Sequence, residues 1–196
     1  KEQVMAKEGQ ALALNDTQID QFLSYLEGTR YPERDKAIFA LTIRAGMRIG
    51  SIAQLDLTDV LDTSTKLKEV IVLKRSIVKG GKKTVAAYIS HPQLRSALEA
   101  YLAVRKGKSC KSLFVTQQRT PFSPNSLSQL MLKHYNAAGL EGASSHSGRR
   151  IFCSSLLKKG VDIVAVSKVM GHSSIVTTQR YVHHDERELS NVVSML

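Results

Sequence analysis

One stretch constrains the fold more than any other. In LKEVIVLKRSIVKGGKKTVAAYIS, Leu67 to Ser90, β-branched and apolar residues gather on both sides of a Gly80-Gly81 turn. That pattern predicts two or three antiparallel strands with lysines at a hairpin tip, and the expectation is a small three-stranded antiparallel sheet. Outside it, apolar residues recur at helical spacing between start and stop signals. The fold class is therefore α+β, mainly helical, with one small sheet.

The helical segments are well punctuated. NDTQIDQFLSYLEG places Ile19, Phe22, Leu23 and Leu26 on one face behind cap residues, and Gly28 stops it. Pro32 suits the first turn of PERDKAIFALTIRAG, which ends near Gly46 and leaves Arg48 at the start of the short RIGSIAQL. HPQLRSALEAYLAVR and SPNSLSQLMLKHYNAAG also carry proline in their first turns, with the short apolar LFVT between them. SSHSGRRIFCSSLLKKG, DIVAVSKVMG and SSIVTTQRYV follow, each opened by serine or aspartate. DERELSNVVSML sets Leu189, Val192, Val193 and Leu196 on one helical face. Residues 1–14 show no strong periodicity and are expected to be a linker, with one domain over 15–196.

A chain of 196 residues can bury a real core without cross-links. Cys110 and Cys153 form no Cys-x-x-Cys pair, which points to a reducing compartment and away from a zinc ribbon. No apolar run approaches the roughly 20 residues that span a bilayer, and KEQVMAKEGQ lacks the apolar centre of a signal peptide. A soluble, intracellular protein with no membrane partner is expected.

Charge narrows the partner. The net charge is +11, and Lys66 to Arg119 holds thirteen basic residues against only Glu69 and Glu99. Such a concentration is what a phosphate backbone attracts, because each neutralised phosphate releases condensed counterions. The alternatives are a merely soluble basic surface or an anionic membrane face, but no amphipathic basic helix of the membrane-surface type accompanies the charge.

Single residues say less than their combination. His146 and Arg149, three apart at a helix start, share a face and can donate to an anion there. Gly171-His172 would serve equally as an ordinary helix stop, and Tyr181 as a half-buried aromatic. Together, one tyrosine, two arginines, a lysine and two histidines make a kit for opening a phosphodiester without metal. Guanidinium forks hold the non-bridging oxygens and imidazoles share proton work. His146, His172, His183 and His184 lack His-Glu-x-x-His spacing, so no metal is expected. No Gly-rich loop has Walker spacing, so no nucleotide cofactor is expected either.

SHSGRRIFCSSLLKKGVDIVAVSKVMGHSSIVTTQRYV resembles, in order and spacing, the His-x-x-Arg, Gly-His and Tyr boxes of the tyrosine site-specific recombinases. AGMRIGSIAQLDLTDV is similar to that family's first arginine box, and VKGGKKT to its β-turn lysine segment. The resemblance runs from about Asn15 to the C-terminus and implies the family's catalytic-domain fold. It implies Tyr181 as nucleophile on a DNA phosphate, forming a 3′-phosphotyrosyl link and freeing a 5′-hydroxyl. Arg48 and Arg149 would clamp the phosphate, His146 would assist proton transfer and His172 would hydrogen-bond an oxygen. Lys79 would protonate the leaving oxygen, with Lys82 and Lys83 open as substitutes. A phenol ionising near ~10 needs such a cationic setting to attack at neutral pH, and the phosphotyrosine conserves the ester's energy, so rejoining needs no ATP.

The resemblance further implies a homo-tetramer on double-stranded DNA, with accessory DNA-bending proteins as further partners and a cytoplasmic, nucleoid-associated setting in a bacterium or phage. It also implies a preceding N-terminal DNA-binding domain. The C-terminal helix would dock either on its own domain or on a neighbouring protomer. Two departures stand out: Ser51 where the family usually has glutamate, and Gly148 where His-x-Leu-Arg is usual. HSGRR is similar to the phage and mobile-element branch. The rival readings are type IB topoisomerase-like relaxation, a hydrolytic nuclease using His146 and His172, and a non-catalytic DNA-binding regulator.

Overall fold

The computed structural model describes residues 11–73, 85–105, 109–172 and 174–181. They fall in two compact units, Lys1–Phe152 and Cys153–Leu196.

In the first unit, helix α1 (Asp16–Glu27) opens on a reciprocal cap: Asn15 accepts from the Gln18 N–H at 2.9 Å, and Gln18 accepts from the Asn15 N–H at 3.0 Å. Ile19, Phe22 and Leu26 are buried, and Leu23 packs partly buried against the core. Helix α2 (Pro32–Arg44) has proline in its first turn and buries every residue from Ala37 to Ile43, so it is the central strut. It packs against α1 and α5 (Pro92–Val104), while the short α3 (Ile49–Ile52) packs on α6 (Pro124–Ala137). Phe22 meets Phe39 edge-on at 4.8 Å and stacks on Tyr135 at 4.4 Å, closing the core between α1, α2 and α6.

Two features of this unit were not anticipated. Asp56 and Asp59 cap a one-turn helix, α4 (Leu57–Val60). Its neighbours tie it to LFVT, since Leu57 N–H donates to Lys111 and Leu113 N–H to Leu55, at 2.8 and 2.7 Å. The second feature is a buried charged group on α2 and α6. Arg34 Nε donates to Asp35 at 2.8 Å, the other Asp35 oxygen lies 3.2 Å from His134 Nε2, and Tyr25 Oη meets His134 Nδ1 at 3.2 Å.

The sheet is smaller than expected. Among the described residues it has two strands, β1 (Val70–Leu73) and β2 (Val85–Tyr88), antiparallel with Val70 opposite Tyr88, and not three. Before β1 the pairing shrinks to single contacts: Glu69 accepts from the Ile89 N–H at 2.8 Å, Leu67 forms an isolated antiparallel bridge with Leu61, and the Arg95 guanidinium donates to the carbonyls of Leu67 and Lys68 at 3.3 and 3.2 Å. The hairpin tip with Lys79, Lys82 and Lys83 lies outside the described residues.

Helix α7 (Ser147–Lys158) begins in the first unit. The second unit holds α8 (Ile163–Met170), capped by Asp162 accepting from Val164 and Ala165, and α9 (Ile175–Gln179), which packs on it. The tract from 182 to 196, with His183, His184 and the apolar face ending at Leu196, lies outside the described residues. No helix among the described residues is long and apolar enough to cross a membrane.

Candidate active site

Arg48 is the N-cap residue of α3, and its carbonyl accepts from the N–H groups of Ser51 and Ile52 at 2.9 and 3.0 Å. What fixes it there is the turn from α2. Gly46 takes a left-handed φ of 61°, and Met47, 2 % exposed, is plugged into the core with its N–H on the Leu41 carbonyl. Gly46 also lies under the Phe152 ring: a Cβ there would come within 2.4 Å of Phe152 Cδ1. Only glycine meets both conditions.

The Gly46 carbonyl accepts a hydrogen bond from Arg149 Nη1. Two boxes about a hundred residues apart in sequence are thereby joined, with the second arginine held two residues from the first. Arg149 is buried on the first turn of α7, whereas its neighbour Arg150 turns away and donates to Ala11 at 2.8 Å. The Arg-Arg pair thus divides its work between the candidate site and the N-terminal segment. His146, exposed, stands just before α7, where its carbonyl accepts the Arg150 N–H at 3.0 Å and its N–H donates to Ser144 Oγ at 3.2 Å.

The departure at Gly148 has a packing cause. A Cβ at this position would fall 2.0 Å from Thr42 Oγ1 and 2.6 Å from Thr42 Cβ, so α7 can approach α2 this closely only without a side chain. Ser51, the other departure, is buried at 4 % exposure on α3.

In the second unit, Gly171 ends α8 in the left-handed conformation and sends the chain back, with the His172 N–H on the Ser167 carbonyl at 3.0 Å. The His172 ring lies nearly parallel to the Tyr181 ring, 13° between planes and 6.2 Å between centroids. Its Nδ1 is 2.8 Å from the hydroxyl of Thr178, a fully buried residue of α9 whose carbonyl accepts the Tyr181 N–H. Sequence reasoning paired His172 with Tyr181 and missed Thr178. The available signal was a hydroxyl residue three before the tyrosine, on the same helical face. Lys79 lies outside the described residues. Among the described residues, no three His, Cys, Asp or Glu side chains are grouped to hold a metal ion.

Within the expected basic segment, three of the described residues are tied to backbone carbonyls, and the first, Lys68, donates to Thr58 at 2.6 Å. Arg95 ties down the strand approach, and Arg105 donates to the carbonyls of Leu113 and Cys110 at 2.9 and 2.8 Å and to Ser112. Lys66, Lys111 and Arg119 are exposed.

Residues 13–188 match the phage integrase family. The chain belongs to that family. Among its relatives, tyrosine recombinase XerC of Caldanaerobacter subterraneus subsp. tengcongensis is 29 % identical over 180 residues, covering 89 % of this chain and 48 % of the relative. Tyrosine recombinase XerD of Neisseria meningitidis serogroup A is 31 % identical over 183 residues, covering 92 % of this chain and 61 % of that protein. This phage integrase family member therefore spans about half to three-fifths of the length of these two relatives. Its fold is shared with the XerA recombinase crystal structure, at TM-score 0.74 and 21 % identity over 96 % of this chain and 66 % of that one. It is shared too with the Tn1549 transposon integrase in complex with a circular intermediate DNA, at TM-score 0.78 and 19 % identity over 98 % of this chain and 68 % of that one.

Proposed function

We propose that this chain is the catalytic domain of a site-specific DNA recombinase that cuts and rejoins strands through a 3′-phosphotyrosyl intermediate. The observation that carries the reading is the near-parallel packing of His172 on Tyr181, inside the stretch that matches the family. It sets a hydrogen-bond donor for a phosphate oxygen beside the group that would attack the phosphorus.

In this scheme the Tyr181 oxygen attacks, its proton leaves with help from His146, and the bond from phosphorus to the 5′-oxygen breaks. Arg48 and Arg149 take the charge that builds on the non-bridging oxygens, and His172 donates to one of them. Lys79 protonates the leaving 5′-oxygen. Rejoining runs the same steps backward with the 5′-hydroxyl of another strand, so the ester energy is kept and no ATP is consumed. The partner is double-stranded DNA, and the working form is a homo-tetramer on it, aided by accessory DNA-bending proteins.

The test is a nicked suicide substrate carrying a recombination site. The parent chain should leave a covalent protein–DNA adduct and Tyr181→Phe none. Cleavage by Tyr181→Phe without adduct would show a hydrolytic nuclease and overturn the reading.

A further inference from the structure

We infer that Thr178 is a positioning residue for His172: its buried hydroxyl donates to Nδ1 and so keeps the ring proton on Nε2. The inference rests on the recombinase reading, in which His172 must donate to a phosphate oxygen.

The contact itself, 2.8 Å between Thr178 Oγ1 and His172 Nδ1, allows two proton arrangements. If Nδ1–H donated to the hydroxyl, the Thr178 proton would need another acceptor. Among the described residues, His172 is the hydrogen-bond partner of that hydroxyl, and Thr178 is fully buried. A buried O–H without an acceptor is strongly disfavoured. If instead the hydroxyl donates to Nδ1, both groups are satisfied and the neutral imidazole carries its proton on Nε2. The donor then faces away from α9, as a hydrogen bond to substrate requires.

The same residue also braces the tyrosine. The Thr178 carbonyl accepts the Tyr181 N–H at 3.0 Å, while its hydroxyl fixes the ring that lies parallel to Tyr181. One threonine thereby sets both the tautomer of the donor and its registry with the nucleophile. Isosteric Thr178→Val removes the first and leaves the backbone contact, so the two effects separate.

The decisive measurement is the His172 tautomer, read by long-range proton–nitrogen correlation on the histidine-labelled 196-residue chain at pH ~8, where free imidazole is mostly neutral. The parent and Thr178→Ser should show Nε2–H, and Thr178→Val a mixture of tautomers. Adduct formation on the nicked substrate should fall about 10- to 100-fold in Thr178→Val, the loss of one hydrogen bond to a charged group, and recover in Thr178→Ser. In a His172→Ala background, Thr178→Val should have little further effect, because the threonine acts through the histidine. An Nδ1–H tautomer in the parent, an unchanged tautomer in Thr178→Val, or additive losses in the double variant would each overturn the proposal. Should Thr178→Val fail to fold, the parent tautomer and Thr178→Ser still decide. A parent that forms no adduct at all sinks the recombinase reading, and the tautomer then tests the Thr178–His172 pairing by itself.

Discussion

Arg149 donates to the carbonyl of Gly46, and Phe152, three residues further along α7, lies across the same glycine. The turn that presents Arg48 is therefore held by the helix that presents Arg149. Position 46 has no room for a methyl group and holds a φ that favours glycine.

Gly46→Ala should destabilise the chain by about 2–4 kcal/mol, combining left-handed strain with overpacking against the ring. Urea unfolding measures it. Adding Phe152→Leu should recover the packing part and leave roughly 1–2 kcal/mol of backbone strain. An alanine variant as stable as the parent would mean that the ring yields freely and that the turn is not braced by α7.

Gly148→Leu, which restores the residue usual in the family, should impair this protein. Its Cβ would collide with Thr42 on α2, whose hydroxyl is already committed to the Phe39 carbonyl at 2.6 Å. A loss of about 1–3 kcal/mol is expected. Thr42→Ala should relieve little of it, because the threonine Cβ is also too close; Thr42→Gly should relieve more. Equal stability of Gly148→Leu and the parent would show that α7 can shift away from α2.

The elements were legible because their signals are local. Asn15, Ser123 and Asp162 cap helices with their own side chains, prolines sit in first turns, and Gly28, Gly160 and Gly171 mark stops. The candidate chemistry-bearing residues were named from the resemblance of their stretches to the tyrosine recombinase boxes, with residue types that suit a phosphodiester. What joins them was not legible: Gly46 to Arg149 spans 103 residues, and a backbone carbonyl carries no sequence signal. Nor does a helix start signal that Arg34 and Asp35 are buried, at 7 % and 1 % exposure: Arg34 lies over the Tyr31 and Phe122 rings, and His134 and Thr29 reach Asp35 from outside α2. Arg95 and Arg105 show the reverse, counted toward a DNA-binding charge while tied to their own backbone.

Asp35 should be among the least replaceable residues outside the candidate site. Asp35→Ala strands the Arg34 guanidinium, packed over the Tyr31 ring at 4.5 Å, without its buried counter-charge. A loss of about 3–5 kcal/mol is expected. Tyr25→Phe, which removes only the contact to His134 Nδ1, should cost about 1 kcal/mol. Comparable losses from the two would place the weight on the Tyr25–His134 hydrogen bond instead of the Arg34–Asp35 ion pair.

Alkaline pH should expose the tyrosine core. Burial pushes the phenols of Tyr135 and Tyr101 above the ordinary value of 10.0, and for Tyr101 the hydrogen bonding and the Arg105 charge offset part of the rise. Above pH ~10 the unfolded chain releases these protons while the folded chain keeps them, so the unfolded state binds fewer protons and stability falls as pH rises. The contribution is complete below the unfolded value and is lost on the way up through the folded one. Each tyrosine adds a slope of at most about 1.4 kcal/mol per pH unit in that window. Tyr135→Phe, which keeps the ring on Phe22, removes one such slope. Urea unfolding of parent and variant from pH 8 to beyond 11 should therefore show the parent's advantage shrinking, or the variant's growing, only above pH ~10. A constant difference across the range would mean that the Tyr135 hydroxyl ionises as freely in the folded chain as in the unfolded one, contrary to its burial against Phe22.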